Sequence, residues 1–134
     1  MRLPRREFLG LAAGSAAAAA LPRAAWAADY PVRPVRIVEG FGGGGTPDLL
    51  SRLIGQWLSR QLGQPFIVEN KTGAAGNIAT EAVVKSAPDG YTLLTCLTAN
   101  AINASLYPNL DFKFMRDMVP VAGLIALPMV FLVN

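Results

Sequence analysis

The 134-residue chain has no histidine and one cysteine, Cys96. Without histidine, the common Ser-His-Asp and Cys-His relays are excluded, and a zinc site loses its usual nitrogen ligand. A single cysteine cannot form an intramolecular disulfide. Placed after the strand-like run Tyr91-Thr92-Leu93-Leu94-Thr95, Cys96 is expected to be a small buried hydrophobe. A basic excess is also missing once the N-terminus is set apart. Of 12 Lys+Arg and 9 Asp+Glu, Arg2, Arg5, Arg6, Arg23 and Glu7 fall in the first 27 residues, which leaves eight of each sign. The pI near 9.4 therefore describes that N-terminal segment, and no basic patch argues for nucleic acid.

What stands at the N-terminus reads as a processed export signal. Arg2, Arg5 and Arg6 precede an apolar stretch, Phe8 to Leu21, shorter than the roughly 20 residues a membrane span needs. Ala25-Trp26-Ala27 is a small-x-small cleavage pattern. Arg5-Arg6-Glu7-Phe8-Leu9 resembles the core of a twin-arginine signal; an ordinary secretory signal is the alternative. The expected mature chain starts near residue 28 and resides in the periplasm.

Residues 28–134 suffice for one small domain and show no internal repeat. Val35-Arg36-Ile37-Val38 alternates as a first strand. Thr46 suits a helix N-cap and Pro47 the first helical position, and Asp48 then lies in the first turn. Leu49, Leu50, Leu53, Ile54, Trp57 and Leu58 recur at helical spacing and predict an apolar, core-facing stripe that includes Trp57. Ser51, Arg52, Gln56, Ser59 and Arg60 fall on the opposite face, and Gly63 and Pro65 end the helix. Phe66-Ile67-Val68 is a second strand, a helix is expected from about Asn77 to Ser86, and Tyr91 to Thr95 is a third strand. This βαβαβ order implies an α/β fold with a parallel sheet, whose ligand edge would gather loops 40–47, 70–77 and 96–101. Residues 119–127 and 129–133 are two further strand-like apolar runs, and they suggest the front portion of a longer protein.

The glycine run Gly40-Phe41-Gly42-Gly43-Gly44-Gly45 admits three readings. Gly40, Gly42 and Gly45 match G-x-G-x-x-G, with Glu69 near the place of a ribose-binding acid. Four glycines in a row match that pattern trivially, however, and Thr46-Pro47 lengthens the loop. No Gly-Lys-Ser/Thr follows, which excludes a P-loop. The run can also be a plain tight turn, or a cradle whose amides hold a small anion.

Ordered blocks along the mature chain support the last reading. They are Tyr-Pro-x-x-Pro-Val-Arg (30–36), Gly-Gly-Thr-Pro-Asp (44–48), Leu-Gly-Gln-Pro-Phe-Ile-Val-Glu-Asn-Lys (62–71), Gly-Ala-Ala-Gly-Asn-Ile-Ala-Thr-Glu-Ala-Val (73–83), Ala-Pro-Asp-Gly-Tyr-Thr-Leu-Leu (87–94) and Ala-Asn-Ala-Ile-Asn-Ala-Ser-Leu-Tyr (99–107). With these the chain resembles the Bug-type solute receptors of the tripartite tricarboxylate transporter system. The resemblance implies a two-lobed, type II-like periplasmic binding protein, without catalysis or cofactor, that closes on a small carboxylate and serves a membrane permease as a monomer. Residues 28–120 would then be the first part of lobe one and 121–134 the crossover toward lobe two. A truncated fragment of such a receptor without function, or an exported nucleotide-binding domain, are the alternatives.

By the same resemblance the ligand contacts are Phe41, Gly43, Gly44, Gly45, Thr46, Asp48, Asn77, Thr98, Ala99 and Asn100. Neither loop carries Lys or Arg, so amides and the positive end of a helix would do the binding. Asp48 either orders the glycine loop through backbone N–H groups or pairs with a ligand ammonium. Thr98 and Asn100 either donate to the ligand or cap a turn, and Asn77 is read as an N-cap that lines the cleft.

Overall fold

The computed structural model describes residues 30–126. The export signal of residues 1–27 and the run 129–133 lie outside the described residues. Three strands, β1 (Val35–Glu39), β2 (Phe66–Asn70) and β3 (Thr92–Thr95), form one parallel sheet in the order β2-β1-β3. Helix α1 (Thr46–Leu62) links β1 to β2, and α2 (Asn77–Val84), preceded by a 3-10 turn at Ala74–Gly76, links β2 to β3. Right-handed crossovers that run in opposite directions across the sheet, from β1 to β2 and from β2 past β1 to β3, put α1 and α2 on opposite faces. The order reverses between β1 and β3, which is the switch point where open parallel sheets hold ligands. Two helices not read from the sequence follow, α3 (Thr98–Leu106) and the single turn α4 (Phe114–Asp117).

The core is small: on the α2 face Val38, Ala79 and Val83 pack with Leu94 and Met118, and Val35 and Ile37 are also buried, with Ile37 facing α1. Helix α1 is present as expected, but its apolar stripe is only partly buried: Leu50, Ile54 and Leu58 are half-buried, and Leu49, Leu53 and Trp57 are exposed. Its buried residues are Asp48, Ser51 and Gly55, whereas Leu53 is 65% and Trp57 50% exposed. Small side chains win this face because they let the helix approach the sheet closely. A Cβ on Gly55 would already lie 3.4 Å from Phe66 O and 3.5 Å from Ile37 Cδ1. Ser51 Oγ bonds Thr95 Oγ1 at 2.7 Å, and Ser59 Oγ accepts from Phe66 N–H at 2.9 Å, so the hydroxyls stitch helix to sheet.

Three further expectations fail. Gly45, not Thr46, is the N-cap of α1. Cys96 is exposed, because it follows the last paired residue of β3 on a strand with no outer neighbour among the described residues. Residues 119–126 form no strand: nothing described lies alongside to take up their backbone hydrogen bonds, and Val119 and Val121 stand in solvent.

Candidate functional site

Backbone proximity brings the loops together first. A Cβ on Gly40 would sit 2.8 Å from Gly76 Cα, so the glycine loop and the 3-10 turn touch where only glycines fit. Gly76 adopts φ +87, and a Cβ there would meet Phe41 Cζ at 3.1 Å and Asn100 Nδ2 at 3.2 Å. Segments after β1, β2 and β3 thus converge on one residue. Phe41 and Asn100 are brought together there, as the sequence reading required.

The glycine loop divides its amides. Phe41 N–H donates to Glu39 Oε1 at 2.7 Å and Gly44 N–H to Asp48 Oδ2 at 2.8 Å, both inward. Gly42, Gly43 and Thr46 are exposed residues, and their N–H groups make no hydrogen bond among the described residues. They stand at the N-terminus of the 17-residue α1, whose dipole adds partial positive charge. Gly44, at φ +85, is therefore part of the loop's frame and not a free donor.

Asp48 is buried and fully occupied: Arg52 bonds both its oxygens, Gly44 N–H one and Asn70 Nδ2 the other. The Arg52 guanidinium first, then those N–H donors, hold its carboxyl well below the usual carboxylate range. Both oxygens are thus engaged within the loop and its helix, which supports the loop-ordering reading over pairing with a ligand ammonium.

On the α2–α3 side the asparagines face inward. Asn100, 3% exposed, accepts Leu97 N–H on Oδ1 at 2.8 Å and donates from Nδ2 to Thr80 Oγ1 at 3.0 Å. It closes the first turn of α3, and both ends of its amide are engaged within the fold. Asn77 is the first residue of α2 behind the N-cap Gly76, so it is not a cap. Its Oδ1 accepts from Asn103 Nδ2, while its own buried Nδ2 has no partner among the described residues. Thr98 is exposed and Ala99 half-buried at the start of α3. Glu39, Asn70, Thr80 and Asn103 are the site residues that sequence reasoning missed; a carboxylate directly before a glycine run was the available signal for Glu39. Glu69, the acid a dinucleotide site would need, is spent on Arg36 and Lys71. Among the described residues no cluster of His, Cys, Asp and Glu could hold a metal.

The sequence matches the Tripartite tricarboxylate transporter family receptor over residues 50–134. Protein BugT of Bordetella pertussis is 40% identical over 107 residues, which cover 78% of this chain and 33% of BugT. A protein encoded in the gbd 5' region of Cupriavidus necator is 45% identical over 96 residues, 68% of this chain and 29% of that relative. Among solved structures, MatC from Rhodopseudomonas palustris with bound malate aligns with a TM-score of 0.63 at 38% identity, covering 71% of this chain and 33% of MatC. The chain thus spans about a third of the length of the relatives it matches.

Proposed function

This chain belongs to the tripartite tricarboxylate transporter receptor family, and on that premise we propose that it serves in the periplasm as a monomeric receptor that captures a small carboxylate and delivers it to a membrane permease. Export would be directed by the N-terminal signal, which is then cleaved near Ala27, with Arg5-Arg6 favouring the twin-arginine route. Family members are receptors, and the chain's lack of histidine fits binding without catalysis.

One observation carries the reading. Three exposed residues, Gly42, Gly43 and Thr46, have N–H groups without a partner among the described residues at the positive end of α1, beside the switch point of a parallel sheet. Such a set of donors without a formal positive charge suits a carboxylate and holds it by oriented dipoles. MatC carries malate, which makes a short dicarboxylate the first candidate here. Thr98 and Ala99, at the mouth of the same edge, are proposed to meet the ligand's far end. Nucleotide binding has less support, since Glu69 is already paired.

A thermal-shift series with mono-, di- and tricarboxylates, NAD and ATP tests the proposal. An acid present at a hundred times its Kd should stabilise the protein by about 2.7 kcal/mol, a rise in Tm of several degrees. Stabilisation by NAD or ATP with none from any acid would overturn it.

A further inference from the structure

Two carboxylates from different elements stand under the glycine loop, and a single amide joins them. Glu39, fully buried at the end of β1, accepts from Asn70 Nδ2 at 2.9 Å as well as from Phe41 N–H. The same Nδ2 donates to Asp48 Oδ1 at 2.9 Å, and Asn70 Oδ1 accepts from Arg52 at 3.0 Å. The charged groups around Asn70 are Glu39 from β1, Asp48 and Arg52 from α1, and its β2 neighbours Glu69 and Lys71, which pair with each other. Two negative charges brought to one nitrogen repel unless a donor lies between them.

We propose that Asn70 is the positioning residue of the glycine loop. By donating to both carboxylates it holds them side by side. They in turn draw the N–H groups of Phe41 and Gly44 inward, and the amides of Gly42, Gly43 and Thr46 are left facing outward. The inference rests on the cradle reading for its functional meaning, but its mechanical part can be measured without ligand. Aspartate at this position has the same shape and no donor while ionised; once protonated it regains one O–H donor. Asn70→Asp should therefore unlock the loop reversibly with pH, which a merely space-filling residue would not do.

The test is amide hydrogen exchange of the whole isotopically labelled chain, expressed as protection factors that remove the intrinsic pH dependence. In the parent, Phe41 and Gly44 N–H should be protected at least about tenfold over Gly42 and Gly43, the scale of one net hydrogen bond. In Asn70→Asp that difference should vanish at neutral pH and return in part as the new carboxyl protonates, since one O–H can serve only one of the two carboxylates. Asn70→Ala should lose it at every pH, and it keeps the proposal testable if the aspartate variant does not fold. Parent-like protection in either variant at neutral pH, or loss in Asn70→Asp with no recovery in acid, would overturn the assignment. A parallel calorimetric titration with malate separates the two readings. Exchange as expected in a parent that binds no carboxylate would sink the receptor reading and leave the role of Asn70 standing.

Discussion

Asp48 shows how much one side chain can decide. Beside an anion-binding loop its charge looks misplaced, yet Arg52, Gly44 N–H and Asn70 consume it entirely. Its folded pKa is depressed, so its contribution to stability is fully present above the unfolded value of about 4 and is lost as pH falls through the folded one. The parent should accordingly be more stable than Asp48→Asn at neutral pH. The difference in urea midpoint should shrink as pH drops below about 4. A gap that stays constant into acid would show that the ion pair and its hydrogen bonds are not what Asp48 contributes. The presence of an acid at the helix start was legible in the sequence; its partners were not, since Asn70 lies 22 residues away.

At the scale of the element, α1 teaches the clearest lesson. The 3.6-residue recurrence of Leu and Trp correctly announces a helix but says nothing about which flank meets the sheet. Leu49, Leu53 and Trp57 are exposed, Leu50, Ile54 and Leu58 only half-buried, and the fully buried residues of the helix are Asp48, Ser51 and Gly55. Gly55 gives a sharp check. Its would-be Cβ neighbours, at 3.4 Å or more, are at ordinary contact distance. Gly55→Ala should therefore gain up to about 1 kcal/mol from helix propensity. Gly55→Leu must push α1 off β2 and should lose about 1–3 kcal/mol. Urea denaturation of both variants measures this, and equal losses in the two would contradict the docking geometry.

Across the whole molecule, apolar surface is distributed unevenly. Leu50, Leu53, Ile54, Trp57 and Leu124 line a groove along the outer flank of α1, and Leu49, Val119 and Val121 are exposed as well. Contiguous exposed apolar area of this kind attracts apolar ligands non-specifically. The chain should raise the fluorescence of a hydrophobic dye, and replacing Leu53 and Trp57 together by Lys should reduce that signal severalfold while the sheet's circular dichroism is kept. No change in the dye signal would mean that α1's outer flank is covered.

The succession β1-α1-β2-α2-β3, the parallel class of the sheet and the gathering of three loops at one edge were legible in the residues alone, because these follow from local spacing, turn signals and connection lengths; α3 and α4 were not. Which residues of α1 are fully buried, that Cys96 faces solvent, and that Asn100 and Gly44 are bonded inside the fold became visible only in three dimensions. Those outcomes depend on partners far along the chain, such as Asn70 for Glu39 and Thr95 for Ser51. Burial and hydrogen bonding belong to pairs of residues that only folding brings together.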